Sequence, residues 1–243
     1  IMIQNQLSRF MTEDGEESFN LALKKALLLR VQKDQDVFWN QYLSWFFVQQ
    51  KEYGKAFIQE KSIYKRDPES LSNIVNLSQL AIEENDDETA VEILNFILEN
   101  TQDVELKIKA HSALLEMKIE KSTEKDYPII NSELDLLIKE FGISPYSLPL
   151  QTLQAHFLAF NLKNAEQAKI ILKNALNLPL NNYQLADVKM ELADVFLFEE
   201  KFNQALIYYS QIEEDLKNDE VGHEAGLKSA KTSYFKTDFS WAL

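Results

Sequence analysis

The chain has no cysteine among its 243 residues, which excludes a disulfide framework and any thiolate metal site and leaves the redox compartment open. Glycine and proline number five each, too few for the turns of an all-β chain. No apolar run comes near the ~18 residues of a membrane-spanning helix. The most apolar stretch, Phe38 to Val48, is interrupted by Asn40, Gln41 and Ser44. Positive charge is scarce as well. Lys and Arg total 25 against 39 Asp and Glu, a net charge of −14, and the densest basic spots are the short pairs Lys24-Lys25 and Lys65-Arg66. With no basic stripe to offset the repulsion of a phosphate backbone, nucleic acid is not expected as a partner; a basic or neutral protein fits better. No signal peptide is visible. A chain that opens on Ile1 and ends at Leu243 within a helical pattern reads as a piece of a longer protein.

Catalytic patterns are missing too. There is no Gly-rich phosphate loop, G-x-S-x-G or H-E-x-x-H, and His111, His156 and His223 lack a metal-ligating partner at helical spacing. Acidic runs are frequent: Glu13-Asp14-Gly15-Glu16-Glu17, Glu83 to Glu88, Glu199-Glu200 and Glu213-Glu214-Asp215. None has the alternating ligands and terminal Glu of a calcium loop. Adjacency in a turn does not supply the separated acid pair of a glycosidase either. These runs read as solvated loops. The expectation is a chain that is not an enzyme and that holds no metal or cofactor.

What the sequence does have is a repeat. Phe19/Ala22, Tyr53/Ala56, Asp87/Ala90, Tyr127/Ile130, Ala165/Ala168, Phe202/Ala205 and Phe239/Ala242 are paired marks whose second members follow one another at 34, 34, 40, 38, 37 and 37 residues. Seven residues beyond six of these marks stand Leu29, Ile63, Ile97, Leu137, Ala175 and Ile212. Seven residues is close to two helical turns, so both sets lie on one helix face. A period of this size denotes a stack of supersecondary units. In the unit from Val37 to Ser70, a helix runs to Gln50, a turn containing Gly54 follows, and a second helix ends before Asp67-Pro68. Breakers at Gly142 to Pro149 and Pro179 to Asn182 separate later units, and the polar insert Ser122 to Asp126 lengthens one turn.

Leu43-Ser44, Tyr53, Ala56 and Pro68, then Leu77-Ser78 and Ala90, then Leu192-Ala193, Phe202 and Ala205 recur in register. Nearly the whole chain resembles the tetratricopeptide repeat family. The resemblance implies an all-α, right-handed α-solenoid of antiparallel helix pairs. It would be one continuous superhelix over residues 1–243, with about six hairpins, a truncated seventh, and an irregular stretch near 122–149. Against the family pattern, Glu60 and Ala26 stand where a large aromatic or Leu is common, and His156 occupies the tight crossing position usually given to a small residue.

The family's first helix lines a concave groove. Mapped residue by residue, the resemblance places Phe38, Gln41, Trp45 and Gln49 there, with Gln79 in the next unit, Phe157, Phe160 and Asn161 later, and Asp187, Asp194 and Phe198 after that. Such a groove has no basic clamp for a carboxylate. Its aromatics suit a partner segment, Trp45 foremost. The function expected is therefore a non-enzymatic protein–protein interaction scaffold that binds a segment of another protein. The alternative is a helical ligand- or glycan-binding sensor domain of a larger envelope or regulatory protein. The Asn-, Lys- and Ile-rich style is similar to tetratricopeptide proteins of bacterial cell envelopes, which slightly favours a periplasmic setting over the cytoplasm.

Overall fold

The computed structural model describes residues 17–34 and 36–236, together with Leu7 and Met11. The described residues form twelve α-helices and no strand. The protein is an all-α helical repeat solenoid, and the chain divides into two compact units, residues 1–101 and 102–243.

Unit 1 contains α1 (Glu17–Lys33), α2 (Val37–Gln49), α3 (Tyr53–Tyr64), α4 (Leu71–Glu83) and α5 (Asp87–Asn100). Unit 2 contains α6 (Val104–Glu120), α7 (Tyr127–Phe141), α8 (Leu148–His156), α9 (Ala165–Ala175), α10 (Asn182–Phe198), α11 (Phe202–Asp215) and α12 (Glu220–Phe235). Five complete hairpins result among the described residues: α2/α3 and α4/α5, then α6/α7, α8/α9 and α10/α11. Helix α1 carries the marks of a second helix, and α12 precedes Phe239/Ala242, which lie outside the described residues.

The sequence marks have a physical counterpart. Tyr53, Asp87, Tyr127, Ala165 and Phe202 are each the first residue of a second helix. Three residues on, Ala56, Ala90, Ile130, Ala168 and Ala205 are each 0% exposed. Ala22 departs from this, being exposed on α1. Seven residues beyond the marks, Ile63, Ile97, Leu137, Ala175 and Ile212 are buried, and Leu29 is not.

Four of the five turns use one device. Lys51, Asn85, Lys163 and Glu200 take positive φ, two residues before the second helix begins. The next amide then reaches back into the first helix, as Glu52 N–H does to the Phe47 carbonyl at 2.8 Å and Lys201 N–H to Phe196 at 2.9 Å. The left-handed residue of the first such turn is therefore Lys51 and not Gly54. Gly54 lies within α3, where a Cβ would meet Thr89 Oγ1 of α5 at 3.3 Å; its value is close approach of the two second helices. The fifth turn, between α6 and α7, is longer and is closed by Asp126, which accepts from the Thr123 amide and hydroxyl at 2.9 and 2.8 Å.

One local irregularity shifts the register of unit 2. Residues Phe157–Asn161 at the end of α8 form a π-helical turn, with Leu162 N–H bonded to the Phe157 carbonyl five residues back. In three other hairpins the small crossing residue precedes its mark by twelve: Ser44/Ala56, Ser78/Ala90 and Ala193/Ala205. That count leads to His156 in α8. The π turn takes up one residue, so Ala155 is the one that is fully buried while His156 points outward. His156 does not occupy the tight crossing, and the packing needs no widening there.

Enlarging Ala155 should be costly for this reason. Ala155→Leu is expected to lower stability by ~1–3 kcal/mol, whereas Ala22→Leu on the exposed mark should stay within about 0.5 kcal/mol. Denaturant melts of both variants check this, and equal losses would contradict the shifted register.

Candidate functional site

In unit 2 the first helices of successive hairpins pack on one another: α6 on α8, α8 on α10, α10 on α12. Between α6, α8 and α10 lies a cleft of about 600 Å³. Helix α6 contributes Glu105, Lys109 and Glu116; the segment entering α8 contributes Pro145 and Tyr146, and α8 itself Pro149, Thr152, Leu153 and His156; α10 contributes Gln184, Asp187 and Glu191. The segment before α8 is held by buried Ser147, which donates to the Gly142 carbonyl at 2.5 Å and accepts from Gln151 Nε2 at 3.0 Å. That bracing sets where Pro145 and Tyr146 stand.

The cleft is acidic. Two of its carboxylates are engaged locally: Glu105 pairs with Lys109 at 2.7 Å and Glu191 with His156 Nδ1 at 3.1 Å. The Glu191 hydrogen bond raises the His156 pKa against the opposing effect of burial. Glu116 and Asp187 make no hydrogen bond or ion pair among the described residues. Burial raises the Glu116 pKa and repulsion from Glu120 adds to it, and burial raises that of Asp187. Both carboxyls are exposed on the cleft wall, and neither is given a lysine or arginine among the described residues; the protonated form of His156 acts on Glu116 and lowers its pKa.

The groove residues expected from sequence separate into groups. In unit 1, Phe38, Gln41 and Gln49 are exposed on α2 and Gln79 on α4. Phe38 stacks against Tyr42 at 4.5 Å between ring centres, and Tyr42 stands 6.4 Å from Trp45, so the aromatics of α2 form a ladder. Trp45 and Gln41 line a second cleft, of about 380 Å³, between α2, α3 and α4. In unit 2, Phe160 and Phe198 come together at 5.2 Å, and the His156 ring lies 4.6 Å from Phe160. Lys163 Nζ sits 5.0 Å from the Phe198 ring centre. Phe157 is different: fully buried, it packs edge-on against Tyr127 at 5.3 Å and presents nothing to the groove. The π turn explains this displacement as well, since it moves the outward position from Phe157 to His156. Asn161 donates to the Tyr127 hydroxyl at 3.3 Å.

Asp194 is half-buried and ties α10 to its neighbours. It accepts the hydroxyl of fully buried Tyr209 on α11, and its other oxygen accepts from Lys228 of α12 at 2.7 Å. A second network ties α9 to α10. Lys169 is 5% exposed and donates to Glu166 at 2.7 Å and to Glu199, which also accepts from Lys201 at 3.0 Å. Burial opposes charge on Lys169 and Glu199, but the hydrogen bonds outweigh it: Lys169 titrates above the ordinary lysine value and Glu199 below the ordinary glutamate value.

The residues that sequence reasoning missed are Glu116, Glu191 and the outward role of His156. Counting back from Ile130 does not reach Glu116, because the α6/α7 turn is longer than the others. Counting from the end of the first helix does: Trp45 lies four residues before the end of α2, and Glu116 four before the end of α6.

No family model and no curated protein sequence matches the chain. Solved structures do match in fold. The Cut9–Hcn1 hetero-tetramer of APC/C superposes with a TM-score of 0.56 at 15% identity, over 90% of this chain and 41% of that chain. Yeast Tom70 gives 0.54 at 16% identity, over 96% of this chain and 47% of that one. TTC0263, a thermophilic TPR protein in Thermus thermophilus, gives 0.53 at 17%, over 82% of this chain and 100% of that one. The chain thus spans less than half of Cut9 and Tom70 and has a tetratricopeptide-like fold.

The two networks generate stability predictions. Asp194→Ala strands the buried Tyr209 hydroxyl and should cost roughly 2–3 kcal/mol, read from denaturant midpoints. For Glu199, a lowered folded pKa means a contribution present above the ordinary value of 4.5 and lost as pH falls through the lowered one. For Lys169, the raised pKa means a contribution present below 10.5 and lost only as pH rises through the folded value. The gap in melting temperature between wild type and Lys169→Met should therefore be large at pH 7 and shrink as pH falls below 4.5. A gap independent of pH across that range would contradict the network.

Proposed function

We propose that this protein is a non-enzymatic interaction scaffold whose cleft between α6, α8 and α10 receives a basic segment of another protein. The observation that carries the reading is the pair of carboxyls, Glu116 and Asp187, that face one cleft from two helices with no lysine or arginine partner among the described residues. Both carboxyls are exposed on the cleft wall and partly desolvated by it, so a Lys- or Arg-bearing segment that settles there pairs with them, a gain that a neutral one does not make. The apolar contacts such a segment needs are supplied by Tyr146, Pro149 and Leu153 on the α8 side. A neutral glycan would leave both carboxyls unpaired, which favours the protein segment over the sugar-binding alternative. The likeness in fold to Cut9 and Tom70 supports the scaffold reading without naming the partner.

Affinity selection of displayed random peptides on the immobilised protein tests this. Enriched sequences should carry Lys or Arg and bind more weakly as salt rises. Charge reversal at both carboxyls, Glu116→Lys with Asp187→Lys, should weaken the selected peptides by ~tenfold or more, since each reversal places like charges together. Enrichment of neutral or acidic peptides, or unchanged affinity in the double variant, would overturn the reading.

A further inference from the structure

The second cleft, in unit 1, contains a group that the repeat does not explain. Four residues after the mark, the hairpins carry Leu94, Leu134, Leu172 and Tyr209, all buried side chains that close the space between two helices. In the α2/α3 hairpin that position is Glu60, and it too is buried, at 8% exposure. Tyr209 shows how the fold treats a polar group at this place: its hydroxyl is given a partner, Asp194, and Asp194 is given Lys228. Glu60 receives only half of this. Ser44 donates to its Oε1, while Oε2 is buried and has no hydrogen-bond partner.

Among the described residues no cation compensates the carboxyl. Several lysines of unit 1 are engaged elsewhere: Lys24 and Lys55 pair with Glu52, Lys51 with Glu84 and Lys61 with Glu92. The groups that stand around it are neutral, with Gln41 and Trp45 on α2 and Asn73 and Asn76 on α4 lining the same cleft of about 380 Å³. The Asn73 amide is near enough to favour the charged carboxylate without making a hydrogen bond to Oε2. Desolvation holds the Glu60 pKa up against the lowering effect of Ser44 and Asn73, the expected state of a buried acid with no cation beside it.

An acid with a free acceptor, a half-buried indole, and three amide side chains make a definite set of demands on a ligand. It must carry positive charge, supply several N–H donors, and present a flat face to Trp45. A guanidinium meets all three: it is planar, always charged, has five donors and stacks on aromatic rings. An ammonium meets the charge requirement but not the shape.

We propose that the cleft formed by Trp45, Glu60, Asn73 and Gln41 is a guanidinium-binding site, with Glu60 as its counter-ion and Trp45 as its stacking face. The site belongs to unit 1 and shares no residue with the acidic cleft of unit 2. Either can fail without the other.

The test uses the full chain labelled at the indole nitrogens, with the Trp45 resonance identified by Trp45→Phe. The probes are acetyl-arginine amide, its neutral isostere acetyl-citrulline amide, methylguanidine, and a capped peptide with a single arginine. The arginine amide should shift the Trp45 resonance saturably and the citrulline amide should not. Glu60→Gln should weaken the arginine amide by ~tenfold or more, the loss of one partner of a charge-assisted pair. Thermal melts of Glu60→Gln at pH 7 should match or exceed wild type, because the variant removes an uncompensated buried carboxyl; this separates loss of binding from loss of fold. A capped peptide binding at least ~tenfold tighter than methylguanidine identifies the source as an arginine of a partner chain, and equal binding identifies a small guanidine. Absence of a saturable shift with every cationic probe, equal binding of citrulline, or undiminished binding by Glu60→Gln would overturn the proposal.

Discussion

The close approach of two helices at a small buried residue on each is the constraint from which the rest of the molecule follows. Ser44 with Ala56, Ser78 with Ala90, Ala155 with Ala168, and Ala193 with Ala205 are all buried. With so little side chain at these points the helices can settle ridge into groove at short distance, which sets the rotation of each helix about its own axis. Once that rotation is set, every other position is assigned. The residue after the crossing, Trp45 or His156, faces outward, and the residue four beyond the mark faces inward. The α6/α7 hairpin shows what happens when the constraint is relaxed. Its mark is Ile130, Leu115 fills the equivalent place on α6, and a longer turn joins the helices.

The π turn at the end of α8 is the complement of this constraint. An extra residue in a first helix would rotate everything before it by about 100° relative to the crossing. Absorbing it in one π turn confines the disturbance to Phe157–Asn161. Ala155 keeps its place in the core, and the irregular carbonyl pattern falls where the helix ends. The consequence for the site is direct: a titratable ring stands in the cleft, and a phenylalanine is withdrawn from it. His156 then meets both Glu191 and Phe160, so one irregular turn joins the acidic cleft to the aromatic patch of Phe160 and Phe198.

Much of the fold was legible in the sequence because small residues at a hairpin crossing tolerate little substitution, so the marks recur. Pairs such as Tyr53/Ala56 and Phe202/Ala205 could be found by counting, and the helices begin where the marks stand. The site was less legible, for two physical reasons. A π turn leaves no composition signal, so counting through Phe157–Asn161 placed Phe157 in the groove and His156 in the crossing. Pairing across helices is likewise invisible along one chain. Asp194 reads as a groove residue, and its bonds to Tyr209 and Lys228 give it a structural part that counting along the chain does not show. Gly54 misled in a similar way, since glycine serves left-handed turns and close packing alike. Here it serves packing against Thr89.

The pairing of charge separates structure from proposed function more sharply than the aromatic residues do. Desolvating a carboxyl is unfavourable wherever it occurs. The fold offsets that penalty in different ways at different places. Glu199 and Asp194, which hold helices together, are each given a lysine and a second donor. Glu60, Glu116 and Asp187 are given no lysine among the described residues, although the chain carries 25 Lys and Arg and uses several of them in exposed pairs such as Lys51 with Glu84. Cations are therefore available to the fold and are placed where they join its own helices. Glu60 is buried and Glu116 and Asp187 are exposed, and all three line clefts, on first helices or facing them. A stack stabilised mainly by apolar crossings can carry such groups at a tolerable loss, because each repeat depends only on its neighbours. In the readings proposed above all three serve a cationic group from outside the chain, and a net charge of −14 would favour the approach of such a group.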